Sequence, residues 1–263
     1  MSVKMTNHIL ITGATSGIGK AIAQSAAAQG LAVSITGLEP ETESQALCAD
    51  LKERGASSVF YGQVDLSDSH AARALIGKVA DAHNGRLDMV VNNAGMQYVA
   101  PIEAFPIDAW DKVIALNLSA AFHITAEALP LMRAGGFGRI VNIASVHGLV
   151  ASKDKVAYVA AKHGIIGLTK TTALETAEEP ITCNAICPGW VRTPLVEAQI
   201  EKRAKQAGRP IDEEARLLVS EKQPSGQFVT TDEIAEMVMY LMSDKAGMIT
   251  GSQFVMDGGW TAQ

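Results

Sequence analysis

The chain has 263 residues, enough for one large or two small domains and for a fully buried core. Its 48% hydrophobic and 19% charged residues exclude disordered, collagen-like and disulfide-scaffold classes. With 22 Lys and Arg against 28 Asp and Glu, the net charge of −6 argues against nucleic acid or an anionic membrane as the main partner.

Met1 to His8 lacks the apolar core and small-residue cleavage site of a secretory signal, so the expected compartment is the cytoplasm. The first predicted strand, His8 to Thr12, runs into Thr12-Gly-Ala-Thr-Ser-Gly-Ile-Gly19 and a helix over Ile18 to Gln29. Gly13, Gly17 and Gly19 allow a tight turn, close approach to a pyrophosphate and helix-on-strand packing, while helix N-terminal amides supply donors to the anion. A second strand, Ala32 to Thr36, follows. The longest charge-free stretch, Ala21 to Leu38, holds too many polar residues to cross about 30 Å of hydrocarbon, so no membrane span is predicted. A helix over Glu41 to Arg54, a strand over Val59 to Gln63, a helix over Asp68 to His83 and a strand over Leu87 to Asn92 continue the alternation.

The fourth strand ends in Asn92-Asn-Ala-Gly95, and a helix is predicted over Asp108 to Met132. The strand Gly138 to Ala144 delivers Ser145, and the helix Ala157 to Ala177 carries Tyr158 and Lys162 four apart, on one face. The strand Ile181 to Cys187 separates Cys183 from Cys187 by about 13 Å, beyond bridging distance, so both read as small buried hydrophobes. Three cysteines in all suit a reducing compartment, and six scattered histidines give no metal-ligand spacing, so no metal is expected. Trp190 to Gln227 breaks the alternation with Pro194, Gly208, Pro210 and Pro224; a long excursion of this kind reads as a lid. A helix over Thr231 to Leu241 and a strand over Gln253 to Met256 complete the series. Seven strands alternating with helices predict an α/β fold: a doubly wound, Rossmann-type, seven-stranded parallel sheet with helices on both faces. We read one domain over 1–263, with a helical substrate lid at about 190–227.

The glycine spacing, Asn92-Asn-Ala-Gly95, Asn117, Ser145, Tyr158-Val-Ala-Ala-Lys162 and Pro188-Gly189 together resemble the short-chain dehydrogenase/reductase family along essentially the whole chain. A phenol near pKa 10 is a poor base, and moving it by about 3 units takes about 4 kcal/mol, which a close ammonium can supply. The resemblance implies that Tyr158 exchanges a proton with the substrate oxygen and Ser145 hydrogen-bonds that oxygen. It implies further that Lys162 lowers the Tyr158 pKa and holds the nicotinamide ribose, while Asn117 positions a relay water. For the cofactor it implies contacts from Gly13, Thr15, Ser16, Gly17, Ile18 and Gly19, from Leu38, Asp65 and Leu66, from Asn93, Ala94 and Gly95, and from Pro188, Gly189, Val191 and Thr193. Asp65 has an alternative as a helix cap before Ser67. Thr36-Gly-Leu-Glu39 departs from the family pattern, since the strand ends without an acid. The loop offers no cation for a 2′-phosphate and Glu39 would repel one, so NAD is the expected cofactor.

Around the reacting carbon, a cation, an imidazole and amides suggest a small substrate with an anionic end. Within the family, segments such as Gly136 to Ser152, Ala185 to Val196, Ser220 to Ser225 and Asp257 to Ala262 resemble the members that oxidise (R)-3-hydroxybutyrate to acetoacetate with NAD. That likeness implies a carboxylate held by Gln97, His147, Lys155 and Gln199, with Trp190 and Trp260 as walls, and a homotetramer. Taken singly, each has a plainer reading: a loop histidine, an exposed lysine, a solvent-facing lid glutamine, a core or interface tryptophan. The competing functions are a reductase of 3-oxoacyl thioesters or neutral polyols using NADP, and a dinucleotide sensor that has lost catalysis. Intact Asn117, Ser145, Tyr158 and Lys162 weigh against the sensor.

Overall fold

The computed structural model describes residues 7–263; the reading of residues 1–6 as free of a secretory signal lies outside the described residues. In chain order the elements are β1 (His8–Ile11), α1 (Gly17–Ala28), β2 (Ala32–Gly37), α2 (Glu41–Glu53), β3 (Ser58–Gln63), α3 (Ser69–Asp81), β4 (Met89–Asn92), α4 (Ile107–Ile114), α5 (Ala120–Gly135), β5 (Gly138–Ile143), α6 (Val156–Glu175), β6 (Ile181–Pro188), α7 (Pro194–Ala207), α8 (Ile211–Ser220), α9 (Thr231–Met242) and β7 (Gln253–Met256). The strands form one parallel sheet in the order β3-β2-β1-β4-β5-β6-β7. The order reverses between β1 and β4, and an open α/β sheet has its crevice at the carboxyl ends of such a pair.

Alternation along the strands sorts the core into two layers. Ile9, Ile11, Val33, Ile35, Val91, Val141 and Ile143 pack on the side of α1 and α9, whereas Leu10, Val90, Ile140 and Cys183 pack under α3 and α5. With both faces covered, the strands read as nearly continuous apolar runs, and each such side chain contributes about 1.5–3 kcal/mol. Cys183 and Cys187 are free, buried thiols within this sheet.

Two regions depart from the expected pattern. The predicted helix Asp108 to Met132 is a continuous rod, Ile107–Gly135, broken in register by a π turn at Ala115–Ser119. It is the one helix among the described residues long and apolar enough to cross a membrane, although no span was expected; it packs on α3, α6 and β5, as a core helix does. The segment after β6 forms α7 and α8, and the breakers read from the sequence are their boundaries. Pro194 opens α7, Gly208 ends it with φ 65°, and Pro210 precedes α8. Val196, Ile200, Ala215 and Leu218 give the pair its own apolar centre, and Arg203 holds Glu214 at 2.8 Å. Val191 and Val229 pair at its base.

At the opposite edge of the sheet, a run of hydrogen bonds ties β1, β2 and β3 to the chain entering β4. His8 Nδ1 faces the Arg86 carbonyl at 2.8 Å, so this nitrogen carries the proton and Nε2 accepts from Ser34 Oγ, also at 2.8 Å. Ser34 Oγ then accepts from His83 Nε2 at 3.2 Å, and His83 Nδ1 accepts from Ser58 Oγ at 3.2 Å. Burial holds the His8 pKa down at about 4. An unfolded histidine titrates near 6.5, so between pH 6.5 and 4 the unfolded chain binds the extra proton and stability falls as pH falls. The loss from His8 is on the order of 3 kcal/mol at pH 4. Thermal unfolding of wild type and His8→Gln is expected to converge by about this amount between pH 7 and pH 4; parallel curves would remove His8 from the acid limb.

Candidate active site

Above the carboxyl ends of β1 and β4 lies a cleft of about 520 Å³. The turn after β1 has Gly13 at φ 60° and Gly17 at φ 54°, conformations that side chains resist. A Cβ on Gly13 would sit 2.9 Å from the Ala94 Cα, so the turn also presses on the chain leaving β4. Asn93 locks this contact: its Nδ2 donates to the Thr12 and Gly13 carbonyls, each at 2.9 Å, while the Asn93 and Ala94 amides donate to Thr12 Oγ1 at 3.0 Å. The first turn of α1 holds no acidic residue, and its free amides suit a pyrophosphate. Thr15, Ser16, Gly17, Ile18, Leu38, Asp65, Leu66, Gly95, Pro188, Gly189, Val191 and Thr193 line the same cleft. Gly19 does not: a Cβ there would meet the Gly13 carbonyl at 2.4 Å, so this glycine serves the packing of α1 on its turn. Asp65 accepts from Ser67 N and Oγ at 2.9 and 2.6 Å, and those bonds lower its pKa; the cap of α3 is Asp68.

Glu39 is the residue that sequence reasoning left out of the site. Gly37, where a Cβ would fall 2.3 Å from Glu39 Oε2, lets the chain fold the carboxylate back over β2. Oε1 accepts from Thr15 Oγ1 at 3.1 Å, and Oε2 is buried with no partner. A buried unpaired carboxylate oxygen facing the cleft matches a ribose hydroxyl and disfavours a phosphate. The signal was present as a glycine two positions before an acid.

On the other side of the cleft, β5 delivers Ser145, whose Oγ accepts from the His147 amide at 3.1 Å. From α6, Tyr158 and Lys162 enter on one face, with Lys162 Nζ 5.5 Å from the Tyr158 ring centre and donating to the Ile143 carbonyl at 2.7 Å. Burial lowers the Lys162 pKa to about 8. The expectation that Lys162 depresses the phenol is not met by the protein's own groups. Burial raises Tyr158 above its ordinary value, and only a hydrogen bond with Ser145 works the other way. Asn117, in the π turn, spends its side chain on Met96: Oδ1 accepts from Met96 N and Nδ2 donates to Met96 O, both at 2.9 Å. Asn117 lies outside the main cleft but borders, with Lys162 and Thr12, a small cavity of about 10 Å³, room for about one water.

Next to Tyr158 the cleft is aromatic and rich in N–H groups. His147 meets Tyr158 and Trp260 edge-on, with ring centres 5.9 and 5.4 Å apart, and Trp260 stacks on Trp190 at 6.2 Å. Lys155 Nζ lies 4.9 Å over the Trp190 ring. Burial, and then Lys155, holds the His147 pKa at about 4, so the imidazole is neutral; burial also lowers Lys155. His147 Nε2, Gln97 Nε2 and Trp190 Nε1 are buried without partners. Gln199 reaches the cleft from α7, its Nε2 3.4 Å from the Leu195 carbonyl.

A cleft that joins a dinucleotide cradle to a buried acid–base group at the sheet's switch point is the arrangement of a pyridine-nucleotide oxidoreductase. A family model described as enoyl-(acyl carrier protein) reductase matches residues 13–261. The chain is 50% identical over 255 residues to a D-beta-hydroxybutyrate dehydrogenase of Cupriavidus necator, covering 97% of each. It is 45% identical over 259 residues to the protein of that name from Rhizobium meliloti, covering 98% of this chain and all of the relative. A solved actinorhodin polyketide ketoreductase with NADPH superposes at a TM-score of 0.91 over the whole of both chains, at 32% identity. The chain therefore belongs to the short-chain dehydrogenase/reductase family, and its cofactor is a nicotinamide dinucleotide.

Proposed function

We propose that the protein oxidises (R)-3-hydroxybutyrate to acetoacetate, reversibly, with NAD. The observation that carries this reading is the end of the cleft beside Tyr158, where unpaired buried N–H groups and the Lys155 ammonium accompany two tryptophans. Donors without acceptors call for an acceptor-rich ligand, and a carboxylate answers them with charge-assisted bonds. The likeness to two proteins named D-beta-hydroxybutyrate dehydrogenase supports the same substrate.

In this reading Gln97, His147, Lys155 and Gln199 hold the carboxylate, while Trp190 and Trp260 wall the pocket. Ser145 donates to the reacting oxygen, and Tyr158 removes the hydroxyl proton. Lys162, which borders the small cavity beside Asn117, would hand the proton on from Tyr158 toward that cavity. The residues of the glycine turn, with Tyr158 and Lys162, would hold a nicotinamide dinucleotide, whose chemistry when bound would be hydride acceptance. The α7–α8 pair acts as the substrate lid of a single domain and excludes water. We place the enzyme in the cytoplasm as a homotetramer, with Ile107, Phe122 and Leu174, exposed on α4, α5 and α6, supporting contact between subunits.

The deciding measurement is reduced-cofactor formation with (R)-3-hydroxybutyrate, its (S) isomer, 3-hydroxyvalerate and lactate, each with NAD and NADP, beside reduction of a 3-oxoacyl thioester. Turnover confined to the thioester would overturn the reading. Cofactor choice is tested through Glu39: Glu39→Ala is expected to raise the KM for NAD about 10- to 100-fold and to narrow the preference over NADP, with kcat little changed. An unaltered KM would separate Glu39 from the ribose.

A further inference from the structure

The segment Ser220-Glu-Lys-Gln-Pro-Ser225 contains a glutamine for which the site described above has no use. Gln223 is fully buried just beyond α8 and does not line the cleft. Its Oε1 accepts from the Trp190 backbone N–H, and its Nε2 donates to the Gln227 carbonyl at 2.6 Å. Trp190 and Gln227 are the two ends of the α7–α8 excursion, so one amide joins both. The surrounding backbone is built to admit it. A Cβ on Gly189 would fall 2.3 Å from Gln223 Oε1, and one on Gly258 would fall 2.2 Å from Ser225 Oγ. Three strands of chain converge here, held by Gly189 N on the Met256 carbonyl at 2.8 Å, Ser225 N on the Gly258 carbonyl at 3.0 Å and Val229 N on the Trp190 carbonyl at 2.9 Å.

We propose that Gln223 is a positioning residue for the substrate pocket: its amide clasps the base of the lid and thereby sets the Trp190 indole against Trp260 and Lys155. A buried amide is tolerated when both its ends are paired, and here each end pairs with backbone from a different end of the excursion. An apolar residue of similar volume would leave the Trp190 N–H and the Gln227 carbonyl unpaired. Trp190 would then be free to shift, while Gly13, Thr15 and Ser16 in the turn between β1 and α1, which share none of these bonds, would stay in place and keep most of the dinucleotide contacts.

The inference rests on the proposed hydroxy-acid reading for its kinetic arm only. Gln223→Glu provides a titratable copy of the clasp. Protonated, the side chain still accepts from Trp190 N–H and donates to the Gln227 carbonyl; ionised, it has no donor and faces that carbonyl with charge. Relative to wild type at each pH, the variant's KM for (R)-3-hydroxybutyrate is expected to lie within about threefold at pH 5.5 and to be raised about tenfold or more at pH 8, with the KM for NAD raised by no more than about threefold at either. Gln223→Leu is expected to show the raised KM at every pH. A second readout needs no substrate: the near-ultraviolet circular dichroism of the stacked Trp190 and Trp260 is expected to weaken in Gln223→Leu, and in Gln223→Glu at pH 8 but not at pH 5.5. If wild type turns over none of the hydroxy acids, the substrate reading fails and the dichroism still decides the clasp. Dichroism of both variants matching wild type at both pH values overturns the proposal, as does an equal rise in KM for NAD.

Discussion

Tyr158→Phe is expected to lower kcat by about 10²- to 10⁴-fold while leaving NAD affinity within about twofold of wild type. The substitution removes one oxygen from a half-buried ring whose edge-on contact with His147 does not use it, so the packing survives and the loss is chemical. Burial by the protein's own groups raises the phenol and lowers Lys162 to about 8. The sign of the pH dependence follows. Oxidation uses the deprotonated tyrosine, so its rate in wild type rises with pH; reduction uses the protonated tyrosine and rises as pH falls. Tyr158→Phe should flatten both limbs. Single-turnover kinetics in each direction check this, and residual activity near the wild-type level would remove Tyr158 from the chemistry.

Lys155→Ala has the next largest expected effect. Lys155 is the cation that reaches the Trp190 face, and deleting one partner of a buried charged hydrogen bond typically costs 2–5 kcal/mol. Each 1.4 kcal/mol is about tenfold, so the KM for 3-hydroxybutyrate should rise by roughly 30-fold to several thousandfold. The KM for NAD should stay put, because the cradle on β1 and α1 lies across the cleft. Neutral His147 does not replace the lost charge, since burial holds its pKa near 4. Lys155→Arg keeps the charge but changes the fit, and intermediate recovery is expected. Steady-state kinetics with each substrate varied in turn separate these effects; an unchanged KM for hydroxybutyrate would take Lys155 out of the carboxylate site.

How much of this was legible depended on how locally it was encoded. The glycine turn and the Tyr158–Lys162 pair are written in consecutive or helically spaced residues, so a single stretch of sequence carries both geometry and chemistry. The strands were legible because a sheet covered on both faces demands apolar runs, and Pro194, Gly208 and Pro210 marked the ends of α7 and α8. Gln97, Gln199 and Trp260 come from separate segments, and nothing local distinguishes them from solvent-facing or core residues; only the family resemblance joined them. Glu39 reads in sequence only as a repeller of phosphate, because its reach over β2 depends on the bend that Gly37 permits. The π turn that commits the Asn117 side chain to Met96, beside a cavity with room for about one water, is not revealed by periodicity. Burial, which raises the Tyr158 phenol, and the bond of Lys162 Nζ to the Ile143 carbonyl are both invisible in sequence.

The ion pairs of the α7–α8 unit bear on how so small a ligand can be held. Arg203 reaches both Glu214 and Glu221, Arg209 reaches Glu214, and Arg192 reaches Asp212 at 3.5 Å, so the two helices arrive already stapled to each other. A four-carbon hydroxy acid has about seven non-hydrogen atoms, which caps its binding free energy near 10 kcal/mol at about 1.5 kcal/mol per atom. Ordering some twenty residues from coil would absorb about 1–2 kcal/mol each and exceed that limit. As the lid proposed above, the α7–α8 pair would be folded in advance and close as one piece. Calorimetry should register its closure as a modest heat-capacity change, without the large entropic penalty of coupled folding.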